Sequence, residues 1–285
     1  MNRKLKLILA SVACVALLAV IFLVANRSNG GNDDAYMNEL RNRIKKEVSA
    51  QSNMDESTYQ MLVDSIDTWE IQGSIKAKDV ETLRKTLYEE VSGKIFALYS
   101  DVLARYNDNP DKSHQLLLGY NELAEKIESD AASWGVAAVG KSADVRNLHA
   151  CYMSIRSLAK YGVIPTPDFD SKKLTWTSFD EQKQRLLDTV AGYRKNQWYA
   201  KIKHIEGFDE AVDSKKVASS IESCRDNYYE ELSKNIVNYF DNNESNLSTA
   251  YKDVVAAFAS QTDKESNAYK KMLMEYKIYI DSFKN

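Results

Sequence analysis

Apolar residues recur at steps of three and four along most of this chain. Val80, Leu83, Leu87, Val91, Ile95, Leu98 and Val102 form one series. Leu117, Tyr120, Ala124, Ile127, Ala131 and Trp134 form a second, and Val145, Leu148, Tyr152, Ile155 and Ala159 a third. Val217, Ile221, Cys224 and Tyr228 repeat the pattern, as do Tyr269, Leu273, Tyr276, Ile280 and Phe283 near the end. Alternating steps of three and four hold side chains on one narrow helical seam, which suits long helices packed at shallow angles. The spacing predicts helices near 35–50, 55–70, 78–106, 113–134, 142–160, 178–205, 214–240, 245–260 and 264–283. The expected fold is all-α, an elongated helical bundle built as one body or as two helical subdomains.

Punctuation divides that bundle. Asn107-Asp108-Asn109-Pro110 ends one helix, and Gly135 and Gly140 interrupt the chain between two others. Pro165 and Pro167 are two of only three prolines, and so close together they cannot continue a helix. Residues 161–177 are therefore read as an irregular connection between subdomains at 36–160 and 178–285. Ser178 can cap the next helix, with Glu181 at the capping-box position.

Residues 7–25 break the amphipathic pattern. They read LILASVACVALLAVIFLVA, without a charge, a proline or a glycine. At ~1.5 Å per residue such a helix spans ~28 Å, close to the thickness of a bilayer's hydrocarbon core. Arg3, Lys4 and Lys6 precede it, whereas only Arg27 follows closely. The positive-inside rule makes residues 1–6 a cytoplasmic leader and places the rest outside. Residues 26–35 are polar, contain Gly30 and Gly31, and read as a flexible tether. Two rival readings involve processing. A cleaved signal would have a shorter apolar core. A lipoprotein signal would use Ser11-Val12-Ala13-Cys14 and anchor the protein through a lipid on Cys14.

Charge narrows the partners. Setting aside Arg3, Lys4, Lys6 and Arg27 from the 38 basic residues leaves 34 against 41 acidic ones. The outer part has no net basic field for nucleic acid. Cys151 and Cys224 are the two cysteines outside the apolar segment. An oxidising compartment permits a disulfide between them, and their apolar helix positions suit buried free thiols equally well.

Signatures of catalysis are sparse. His114, His149 and His204 show no zinc-ligand spacing, and no paired C-x-x-C occurs. His149 and Cys151 lie two apart, which on one helix points them in different directions. Gly135-Val136-Ala137-Ala138-Val139-Gly140-Lys141-Ser142 formally meets the phosphate-loop pattern G-x-x-x-x-G-K-[ST]. Such a loop follows a buried strand, and the residues before Gly135 are helical in period. Aromatic content is more suggestive, with 17 Tyr and 4 Trp. Trp176, in the irregular connection, and the pair Trp198-Tyr199 are the candidate contacts for a ligand or partner, and rings of this kind also complete cores.

The leading expectation is a non-enzymatic, single-pass protein of the cell envelope, needing no cofactor or metal. It presents a helical surface to a protein partner or to a second copy of itself. The alternatives are a binding protein for cell-wall or glycan material and a nucleotide-dependent enzyme acting through residues 135–142. Deleting residues 1–27 is expected to release the protein from membranes. Carbonate-washed membrane fractions probed for the full-length and truncated chains check this, and retention of the truncated chain would refute the anchor.

Overall fold

The computed structural model describes residues 33–106, 110–137, 140–259 and 267–282. The expected membrane span at 7–25, Cys14 and most of the tether lie outside them. Among the described residues no helix is long and apolar enough to cross a membrane. The fold is all-α, and among the described residues the strands are confined to a small two-stranded hairpin.

The chain groups into two compact units, one comprising residues up to Arg105 with Asn109–Arg146, the other Tyr106–Asp108 with Asn147–Asn285. The first holds α1 (Asp33–Ala50), α2 (Glu56–Ile71), α3 (Ala77–Ala104) and α4 (Pro110–Ser133). Helix α3 packs against each of the other three. Its Leu83, Leu87, Val91 and Ile95 have no exposed surface. At about 1.5–3 kcal/mol per fully buried aliphatic side chain, this seam is a major source of the unit's stability. The buried stripe then continues through Tyr99 and Leu103, one position later than the expected Leu98 and Val102. From Leu83 to Leu103 this stripe falls at every fourth residue, and because a turn takes about 3.6 residues, steps of four carry it around the 28-residue helix.

The ends of these helices follow local chemistry. Asp55 caps α2 by accepting the Thr58 backbone N–H at 2.8 Å. Gly135 takes the left-handed conformation at φ 72°, and the Val136 N–H returns to the Ala131 carbonyl at 2.9 Å. That turn satisfies carbonyls at the end of α4 and is open to glycine without strain. Helix α5 (Lys141–Tyr161) follows, and the division between the units falls within it.

The second unit is assembled from shorter pieces. Phe169–Asp170 (β1) and Thr175–Trp176 (β2) form the hairpin, with Phe169 opposite Trp176. The expected irregular connection at 161–177 thus contains a ladder and lies within this unit. Next come α6 (Phe179–Lys195), α7 (Tyr199–Ile202), α8 (Phe208–Ala211), α9 (Ser214–Ser223), α10 (Arg225–Asp241), α11 (Leu247–Ala259) and α12 (Asn267–Ser282). The single helices expected at 178–205 and 214–240 are each interrupted. Asn196 is extended, at φ −65° and ψ 133°, and its side-chain oxygen accepts the Trp198 N–H at 2.9 Å. This local bond competes with helix continuation, as short polar side chains do. The second break falls at Cys224, at φ −90° and ψ 0°.

Ser178 caps α6 as expected, accepting the Glu181 N–H at 3.2 Å. A charged cluster then fixes α6 to the α9–α10 corner. Lys183 donates to Glu222 at 2.5 Å, and Arg225 reaches Glu222 at 2.7 Å and Asp180 at 2.9 Å. The Arg225 guanidinium also lies 4.3 Å over the Phe179 ring. Hydrogen bonds from Arg225 and Lys183 pull the Glu222 carboxyl down to about 2 from an ordinary 4.5. A carboxyl whose pKa is lower in the folded state stabilises the fold above its unfolded pKa and loses that contribution as pH falls toward the folded value. Glu222→Gln is expected to flatten the decline of Tm between about pH 4.5 and pH 2, measured by circular dichroism. A variant curve parallel to wild type through that window would refute the assignment.

Candidate functional site

Helix α5 carries Asn147, Ala150, Cys151 and Ser154 at positions i, i+3, i+4 and i+7, so they share one face. The end of α6 and the break after it supply Tyr193, Asn196, Gln197 and Trp198. Together these eight residues line an open groove of about 570 Å3 within the second unit. That volume is in the range of small-molecule sites. The break at Asn196 is what brings the amides and the indole to this edge, since a continuous helix would have spread them around its circumference.

None of the eight is Asp, Glu, Lys, Arg or His. The neighbouring Arg194 is engaged by Asp209 at 3.5 Å and Asp213 at 3.8 Å. Much of the lining's hydrogen-bonding capacity is unspent. Within the described residues, the Asn147 and Gln197 amides and the Tyr193 hydroxyl make no hydrogen bond. Asn196 uses its oxygen on Trp198, and the Ser154 hydroxyl donates to the Ala150 carbonyl at 2.9 Å, leaving its own lone pairs available. Asn147, Asn196 and Gln197 are exposed, Tyr193 and Trp198 half-buried, and Cys151 is buried at the floor.

The sequence candidates separate on this geometry. Trp198 belongs to the groove, whereas Trp176 and Tyr199 do not line it. Trp176 is buried and stacks on Phe169, ring centroids 6.3 Å apart. Tyr199 is buried, with its hydroxyl donating to Asp209. Burial and that carboxylate push the phenol up to about 12. Cys151 and Cys224 are both free thiols. The polar partners of Trp198, namely Asn147, Tyr193, Asn196 and Gln197, escaped sequence reasoning. The one available signal was a polar run of Asn-Gln inside an otherwise helical period.

The phosphate-loop pattern has other surroundings. Gly135 ends a helix and does not follow a strand. Lys141 pairs with Asp144 at 3.0 Å and lies 4.9 Å over the Phe96 ring. Ser142 is fully buried and bonded to the Tyr88 hydroxyl at 2.9 Å. Val139 and Ala138 lie outside the described residues. Ser142 is thus committed to the packing of α5 within the first unit and Lys141 to a surface ion pair, where a nucleotide would require them on a phosphate and its magnesium. Among the described residues no group of three or more His, Cys, Asp or Glu side chains is arranged to hold a metal ion. His149 is buried and packs at a tilt on Tyr152, 6.0 Å between centroids.

Comparison with protein-family models, curated proteins and solved structures finds no match for this chain.

Burial raises the pKa of the Cys151 thiol. The thiolate is the reacting form, so both access and ionisation slow this cysteine. In the folded protein at pH 8, Cys151 is expected to react with iodoacetamide about tenfold or more slowly than the half-buried Cys224, with the two rates converging in urea. Peptide mapping by mass spectrometry checks this. Faster labelling of Cys151, or a Cys151–Cys224 disulfide in the purified protein, would contradict the structure.

Proposed function

We propose that this chain is a membrane-tethered, non-enzymatic recognition module whose helical part lies outside the cytoplasm. The anchor rests on the uncharged run at 7–25 and its basic leader. One observation carries recognition: a groove of about 570 Å3 in which Trp198 and Tyr193 stand beside amides with unspent hydrogen-bonding groups. Aromatic rings with polar neighbours are common at contact sites. The reading as a binder and not a catalyst follows from the lining. It holds no carboxylate or imidazole to move a proton or to activate the Ser154 or Tyr193 hydroxyl, and burial raises the pKa of its one thiol.

A second reading, docking of a protein partner or a second copy, is favoured by α12. Met274 and Ile278 lie one turn apart and are 60% and 66% exposed, while Tyr276 on the same helix is buried. Exposed apolar side chains in register on one face are what helix-mediated association uses.

Full-length protein extracted from native membranes in mild detergent is expected to carry a bound small molecule, visible as an added mass by native mass spectrometry. Trp198→Ala is expected to abolish it, and Met274→Glu with Ile278→Glu to leave it intact. Absence of any added mass, or its survival in Trp198→Ala, would remove the groove as the recognition site.

A further inference from the structure

We infer that the groove formed by Asn147, Ser154, Tyr193, Asn196, Gln197 and Trp198 takes a neutral saccharide. This rests on the reading of that groove as the recognition site.

The lining selects by what it contains and by what it lacks. In a chain of which 28% is Asp, Glu, Lys or Arg, eight groove residues without one of them form a conspicuously uncharged patch. A phosphorylated, sulfated or carboxylated ligand would find no cation among the lining side chains to compensate its charge, and desolvating an unpaired anion is costly. Of the cations next to the lining in sequence, Arg194 is engaged by Asp209 and Asp213 and Arg146 by Glu128, and Lys195 is exposed and does not line the groove. An apolar ligand fares poorly for the opposite reason. It would strip water from the Asn147 and Gln197 amides and the Tyr193 hydroxyl and return no hydrogen bond.

A sugar meets both conditions. Each Asn or Gln amide offers two donor hydrogens and an accepting oxygen, which matches neighbouring hydroxyls that both give and receive hydrogen bonds. The C–H face of the pyranose ring needs an apolar platform, and the half-buried indole of Trp198 and ring of Tyr193 supply it. The small side chains of Ala150 and Cys151 leave room between the two walls. Four exposed lining residues keep the groove open, so the ligand is free to extend as a chain. A peptide is the weaker fit. Strand addition needs an exposed sheet edge, and this groove is lined by two helices and a turn.

Full-length protein in lipid nanodiscs, applied to a printed array of neutral hexose and N-acetylhexosamine oligomers beside hexuronate and sulfated oligomers, tests this. Neutral oligomers are expected to bind and acidic ones not. Calorimetric titration with the strongest neutral oligomer is expected to show binding weakened about tenfold or more in Trp198→Ala. Gln197→Ala, at an exposed position that the fold does not depend on, is expected to weaken it several-fold, which keeps the test valid if Trp198→Ala misfolds. Preference for acidic oligomers, or neutral binding unchanged in both variants, would overturn the inference. A native bound mass that is lost in Trp198→Ala yet proves to be charged or peptidic would overturn the saccharide and leave the recognition module standing. No bound mass and no array signal would remove both.

Discussion

Everything in the first unit depends on the burial of one continuous apolar seam along α3. Four aliphatic side chains, Leu83, Leu87, Val91 and Ile95, are removed from solvent completely, and three other helices are held by covering them. Because α3 is 28 residues long, its buried stripe must wind around the helix, and its neighbours must follow. This explains why the stripe ends on Tyr99 and Leu103. The hydrophobic effect is non-directional, so it selects the face and leaves finer placement to whatever polar groups the burial traps. Ser142 and Tyr88 are such a pair, mutually bonded with almost no exposure, and an unpaired hydroxyl at either site would be costly.

The second unit is ordered by a different means. Its helices are shorter, and several are held by aromatic edge contacts and ion pairs in addition to aliphatic seams. Phe179 meets Tyr228 edge-on at 5.4 Å, Phe240 meets Tyr276 at 5.8 Å, and Arg225 covers Phe179. The Tyr228 hydroxyl donates to the Thr177 carbonyl, tying α10 to the residue beside the hairpin. Tyr88, Tyr120, Tyr199 and Tyr228 are therefore core residues with a bonded tip. That is why abundance of Tyr alone was a poor guide to the site, and why Tyr199 resolves as structure while its neighbour Trp198 resolves as surface.

Helix existence was legible wherever the apolar period was long and uninterrupted, as in α3, α4 and α5. It failed at Asn196 and Cys224, where no proline or glycine marks a stop. The break at Asn196 is made by one side chain accepting a backbone N–H two residues on, a choice between two nearly equivalent bonds that composition does not display. The groove exists because of that choice. Its polar wall was consequently invisible in the sequence, and only Trp198 was picked out. The hairpin at 169–176 was equally hidden, since two paired residues on each side are too few to set an alternating pattern.

The phosphate-loop pattern shows the converse case, a motif that is legible in the sequence and set in surroundings unlike those the chemistry uses. Spacing of Gly135, Gly140, Lys141 and Ser142 satisfies the pattern, but the chemistry needs amides presented after a strand, with lysine and serine uncommitted. Here glycine closes a helix, the exposed lysine pairs with Asp144 and lies over Phe96, and the buried serine is bonded to Tyr88. A motif is a statement about spacing, whereas a site is a statement about unspent hydrogen bonds. By that measure the groove beside Trp198, which matches no pattern, is the better candidate. The Asn147 and Gln197 amides are exposed and make no hydrogen bond within the described residues, while the Lys141 and Ser142 side chains of the pattern each have a partner.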